Sequence, residues 1–203
     1  LPTAHHLVHA MAQVQRDEWV LVMGASGGLA ACCIQVARRL GAKVIGAAGS
    51  DARVAEGIRY GAHHGINYRT QDLTAEVMKL TGEGVHVVAE NVGDPVLWPG
   101  AFNSLRTYGR LVTAGAHAGG NVTLDLRRLY LKRITIKGDP SSGPPELAWA
   151  LDALKDGTFI PPAIDRVMPL REAAAAHRLI ETRAANGKVL LDPTDRKSTR
   201  LNS

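Results

Sequence analysis

The feature that most limits what this chain can become lies at residues 20–30, VLVMGASGGLA, where an apolar run enters a glycine-rich turn and then helical spacing. A strand that turns sharply into a helix directs the first, unpaired N–H groups of that helix toward one point. Gly27 and Gly28 put no side chain in the way of a close approach, and the helix N-terminus adds a dipole that favours an anion. This is the pattern of a dinucleotide pyrophosphate fingerprint. Ala30 stands where a third glycine is usual, a methyl that is tolerable where helix packs on strand. Glycines often do no more than make a tight turn; what raises this one is its place in the first strand–helix unit.

The alternation continues down the chain. Strands are expected at 19–23, 43–47, 64–67, 85–89, 110–114 and 134–137, and helices at 27–40, 51–60, 73–80, 96–105, 124–131 and 145–155. The first helix carries Leu29, Cys33, Val36 and Leu40 near a 3.6-residue period, and Asp51 is the expected N-cap of the second. Strands alternating with helices of this length call for an α/β fold, a doubly wound parallel sheet of the Rossmann type. After Ile160-Pro161-Pro162 the pattern changes to a strand at 164–168, a helix at 170–182 and a strand at 188–191, which need not join the same sheet. The expected organisation is a dinucleotide-binding domain with a leading helix over 1–160 and a distinct segment over 161–194.

Composition narrows the function classes. With 45% hydrophobic and 21% charged residues the chain has the make-up of a soluble globular protein. No apolar run is long enough to span a bilayer, and the opening Leu1-Pro2-Thr3-Ala4 does not read as a signal peptide. Cys32 and Cys33 are adjacent and leave no disulfide framework, which favours a reducing compartment and predicts a cytoplasmic location. The net charge of +5 shrinks on inspection. Residues 195–203, DRKSTRLNS, match one for one the in-frame translation of a common sequencing-library adapter and are expected to be read-through. Without Arg196, Lys197, Arg200 and Asp195, 21 basic residues face 18 acidic ones, a net +3. That is too weak a bias to predict a nucleic-acid or membrane partner.

The end of the second strand bears on the cofactor. An acidic residue about 20 positions after the fingerprint marks NAD, because it accepts from the ribose hydroxyls. Here Ala48 holds the expected position, while Ser50 and Arg53 are suited to a 2′-phosphate. NADP is therefore favoured over NAD, with Asp51 as the counter-evidence. The eight histidines invite a metal reading. His5 and His9 have a ligand spacing but no third ligand nearby, His63-His64 sits at a turn, and His86 and His117 are expected near sheet ends. His5 and His9 read as half-exposed helix residues and His63-His64 as pointing apart. Packing is the expected role of His86, of His117, which could alternatively approach the nicotinamide, and of Cys32 and Cys33, and no metal site is predicted.

Taken in order, GASGGLA at 24–30, AAGS at 47–50, Gly61-Ala62, INY at 66–68, NVG at 91–93, GRLVTAG at 109–115, Ala173–His177 and GKVLL at 187–191 resemble the medium-chain dehydrogenase/reductase superfamily, in its quinone-oxidoreductase-like branch. The resemblance runs from Thr3 to Pro193. It implies that Ser26, Gly27, Gly28 and Leu29 cradle the pyrophosphate and that Ser50, Arg53 and Tyr68 surround the 2′-phosphate; Tyr68 reads equally as a half-buried strand-end aromatic. Asn91 and Val92 would lie along the cofactor, Gly115, Ala116, Gly138 and Asp139 would flank the nicotinamide, and Thr3 and Lys188 would close the cleft. Gly138-Asp139-Pro140 departs from the family's commoner Gly-Ser-Thr type of sequence. Family members begin with a GroES-like barrel that holds most of the substrate site and, in zinc-dependent relatives, the metal ligands. Zinc is thus implied only for that preceding domain, to which the 161–194 segment would return, and no catalytic residue is named. The resemblance also implies a homodimer through an edge strand at 134–137, and hydride transfer to or from a quinone, enone or other carbonyl. The alternatives are a zinc-dependent alcohol dehydrogenase and a dinucleotide-binding module without turnover.

Overall fold

The computed structural model describes residues 1–194 apart from Asp139, Ser141, Arg183 and Asn186. The adapter-like residues 195–203, and the expected cofactor contact of Asp139, lie outside the described residues. The chain divides into a compact unit Leu1–Ile160 and a second that begins at Pro161.

The first unit opens with α1 (Pro2–His5), which continues in a π-helical turn, His6–Met11. Then β1 (Trp19–Met23), α2 (Gly28–Arg39), β2 (Lys43–Ala48), α3 (Asp51–Arg59), β3 (His64–Asn67), α4 (Leu73–Thr81) and β4 (Val85–Ala89) follow. They are succeeded by α5 (Trp98–Asn103), β5 (Leu105–Thr113), α6 (Leu126–Leu131), β6 (Thr135–Gly138) and α7 (Pro144–Lys155). The six strands form one parallel sheet in the order β3-β2-β1-β4-β5-β6.

Side chains alternate across β1, so Val20 and Val22 enter one core with Leu7, Ile34 and Val36 from the α1–α2 side. Leu21 and Met23 enter the other, with Val77 of α4 and Phe102 of α5. Both faces are thus covered, which is why β1, β2 and β4 read as nearly continuous apolar runs. This is the doubly wound α/β architecture that the alternation predicted.

In the first unit three elements, α3, α5 and β5, differ from the sequence reading by more than a residue or two in length, or in their capping. The helix expected at 96–105 is only Trp98–Asn103, because β5 begins at Leu105 instead of Arg110. Leu105 pairs with Val85, and the chain then bulges before Arg110 meets Val87, with Tyr108 at φ 62°. Asp51 is not the N-cap of α3. Ser50 is, with extended backbone and its hydroxyl accepting from Arg53 N–H at 3.4 Å.

The second unit pairs β7 (Ile164–Pro169) with β8 (Lys188–Asp192) in a separate two-stranded parallel sheet. A 3-10 turn, Leu170–Glu172, and α8 (Ala173–Glu181) connect them. Ile164, Val167, Leu170, Ile180 and Leu190 are exposed there. Among the described residues no helix is long and apolar enough to cross a membrane.

Candidate functional site

The strand order reverses beside β1, whose neighbours are β2 and β4, with Val22 opposite Ala89. Outside the carboxyl ends of two such strands a crevice opens, because the chain leaves them toward opposite faces of the sheet. Three turns converge here, after β1, β4 and β5. Gly24 has φ +70°, and a Cβ on it would lie 3.5 Å from Val92 Cγ2. Gly93 has φ +64°, and a Cβ there would stand 2.8 Å from Ala116 Cα, too close for any side chain. Val92 O accepts from Ala118 N–H at 2.8 Å, and Gly93 O from Gly120 N–H at 3.2 Å.

At the first turn, Gly27 is the N-cap of α2, with ordinary extended backbone. No side chain caps the helix and its first turn carries no acidic residue, so the positive end of a 12-residue helix is left unopposed by side chains. Ser26, Gly27, Gly28 and Leu29 all sit on this turn or its first helical residues, none of them buried.

The second turn is held by a residue that the sequence reading missed. Glu90 directly follows β4, is 2% exposed, and accepts from Val92 N–H at 2.9 Å and from Gly93 N–H at 3.1 and 3.2 Å. Burial pushes its carboxyl above the usual carboxylate range, against the pull of the two backbone donors; Asp94 adds to the rise and His117 opposes it. The available signal was an acidic residue closing an otherwise apolar strand. Beside it Asn91 is 5% exposed, and its Oδ1 accepts from Ala114 N–H at 3.1 Å. Its Nδ2 is buried with no partner among the described residues. An orphaned buried donor at this crevice fits a ligand that brings acceptors.

At the outer end of β2, Ser50 and Arg53 open α3, and Tyr68 follows β3. The Tyr68 ring covers Gly49, 3.1 Å from where a Cβ would be, while also packing on the second core. On the other flank, Gly115 and Ala116 belong to the turn after β5, and Gly138 ends β6 opposite Thr113. Thr3 lies in α1, which packs on α2 and α7. Lys188 opens β8 in the second unit.

His5, His63, His86 and the two cysteines have packing partners. His5 stacks on Trp149 at 4.0 Å and on His9 at 4.8 Å. His86 sits at the opposite end of the sheet from the crevice, accepting from Trp19 N–H at 3.1 Å. His63 accepts from Val44 N–H at 2.9 Å, and His117 is exposed beside Gly115. Cys32 and Cys33 are buried in α2, and burial pushes the Cys33 thiol up to about 12. Among the described residues no three His, Cys, Asp or Glu side chains gather as a metal requires.

Comparison with known proteins agrees with this geometry. The zinc-binding dehydrogenase family profile matches residues 28–156. The chain is 32% identical to a 2-haloacrylate reductase of Burkholderia sp, over 94% of this chain and 60% of that protein. It is 35% identical to the quinone oxidoreductase of Sus scrofa, over 91% and 57% respectively. Among solved structures, the Escherichia coli quinone oxidoreductase complexed with NADPH superposes with a TM-score of 0.82 at 28% identity, covering 95% of this chain and 62% of that one. The chain spans about three fifths of the length of the curated relatives it matches. Fold, crevice and matched span together place the chain in the medium-chain dehydrogenase/reductase superfamily, in its quinone-oxidoreductase-like branch.

Proposed function

We propose that this chain is the cofactor-binding part of an NADP(H)-dependent oxidoreductase whose whole protein moves a hydride between the nicotinamide and a quinone, enone or other carbonyl. The observation that carries the reading is the N-terminus of α2, with no side-chain cap and no acid in its first turn, at the point where the strand order reverses. The orphaned Asn91 Nδ2 supports it. So do the quinone oxidoreductase relatives and the NADPH held by the superposed Escherichia coli enzyme. When bound, the dinucleotide would supply or accept the hydride, and the protein's part is to bind, orient and shield it.

In this reading, Ser26 to Leu29 receive the pyrophosphate on backbone N–H groups. Glu90 fixes the 91–93 turn so that Asn91 and Val92 line the cofactor. Gly115, Ala116 and Gly138 leave room for the nicotinamide, and Thr3 closes over it from α1. Ser50, Arg53 and Tyr68 take the 2′-phosphate, for which a planar, permanently charged guanidinium is well suited. Buried free cysteines suit a reducing, cytoplasmic setting. We further propose a homodimer through β6, the sheet edge.

Calorimetric titration of the chain with NADPH and NADH tests the assignment. Arg53→Ala is expected to weaken NADPH by about 1–3 kcal/mol, the loss of a charged hydrogen bond, and NADH hardly at all. Equal losses would reject the 2′-phosphate site.

A further inference from the structure

A 2′-phosphate pocket made by Ser50, Arg53 and Tyr68 contains a problem in its own sequence, because Asp51 stands between the first two. A carboxylate turned toward a phosphate dianion repels it, and an acid at the end of the second strand is the device by which NAD sites hold ribose hydroxyls. Asp51 is the first residue of α3 and is exposed, so nothing about its burial holds it back.

We propose that Asn67 is a cofactor-specificity residue, which keeps the phosphate pocket cationic by tethering the Asp51 carboxylate at the end of β3. This rests on the NADP reading above. Asn67 Nδ2 donates to Asp51 Oδ1 at 2.7 Å, and Asn67 is 7% exposed. The orientation of its amide is determined by its surroundings. Oδ1 accepts from Arg69 N–H at 3.1 Å, so a flipped amide would set N–H against N–H and oxygen against carboxylate. The residue itself is fixed as firmly. Its N–H donates to Gln71 Oε1 at 3.0 Å, and its carbonyl accepts from Thr70 N–H at 3.1 Å and Gln71 N–H at 2.9 Å. In the sheet it pairs with Ala48, the last residue of β2, so the tether is anchored where the pocket begins.

A purely structural role, closing the 67–71 turn, would affect both cofactors alike; a specificity role changes their ratio. The test is calorimetric titration of the full chain with NADPH and NADH at pH 8. Asn67→Asp keeps an acceptor for Arg69 N–H but faces Asp51 with a like charge, and is expected to lower the NADPH:NADH affinity ratio about ten-fold or more. Asp51→Asn/Asn67→Asp restores a donor–acceptor pair in reverse and should return the ratio to within about two-fold of wild type. Asp51→Asn alone should leave the ratio within about two-fold, because the carboxylate is already withdrawn. An unchanged ratio in Asn67→Asp, or equal loss of both cofactors, overturns the proposal. So does a ten-fold gain in NADPH preference from Asp51→Asn, and that single variant decides the matter if Asn67→Asp does not fold. Arg53→Ala separates the two levels. If it leaves the ratio unchanged, the NADP reading fails and takes this proposal with it; if it shifts the ratio while Asn67→Asp does not, only the role of Asn67 fails.

Discussion

A Cβ on Gly27 would stand 3.2 Å from the Gly24 carbonyl oxygen, and the backbone of Gly27 is in a region open to any residue. A side chain here therefore asks the Gly24 carbonyl to give by a few tenths of an ångström; a pyrophosphate asks much more. Gly27→Val is expected to keep the wild-type circular dichroism spectrum and lose NADPH binding, because the branched side chain fills the space the phosphates need. Retained binding on a native spectrum would remove the fingerprint assignment. Glu90 gives a second test. Its carboxyl is raised by burial, so the folded state holds its proton more tightly than the unfolded chain does. Its contribution to stability is therefore fully present below the unfolded value and is lost as pH rises through the raised folded value. Glutamine does not titrate, so wild-type stability measured against Glu90→Gln should fall as pH climbs from about 4.5 through that window. Denaturant melts at several pH values read this directly, and a flat or rising difference would contradict the buried carboxylate.

Of the two edges of the six-stranded sheet, β3 and β6, β6 is the more exposed. It pairs with β5 on one side only, and Thr135 and Lys137 are exposed along it. Leu126, Tyr130 and Leu131 of the preceding α6 are 59 to 65% exposed. An unpaired edge beside apolar surface is a template for a second copy. Size exclusion with light scattering is expected to give a discrete dimer at tens of micromolar; a clean monomer would argue against pairing along this edge. The same region shows why boundaries were less legible than elements. Periodicity announced a strand near 110, and it is there. The bulge at 106–109 was silent, since it depends on where Leu105 and Arg110 find partners on β4.

At the scale of the whole molecule, both cores and the crevice lie in Leu1–Ile160. The end of this unit is tied to α2, for Gln35 Nε2 donates to Ile160 O at 2.8 Å and Ile160 N–H donates to Gln35 Oε1 at 2.7 Å. A unit with its own core can fold alone. Residues 1–160 are expected to unfold cooperatively in a denaturant melt followed by circular dichroism, and to bind NADPH. A chain that fails to fold, or that melts without cooperativity, would show that this unit is not self-sufficient.

What the sequence determined by itself was local chemistry and its order. Strand and helix periods, the glycine turn after β1 and the change of pattern after Ile160 are properties of neighbouring residues, and they sufficed for a doubly wound parallel sheet. Even the N-cap of α3 erred by one position only, because Ser50 and Asp51 are both good caps and the choice between them lay elsewhere. Tertiary structure made that choice, by giving Asp51 a partner 16 residues away in Asn67. It likewise decided Glu90, which in the sequence is a charged interruption and in the fold is the buried acceptor for the 91–93 turn. Both decisions concern polar groups whose partners are set by strand order, and hydrogen-bond pairing across a fold leaves no period in the sequence to read.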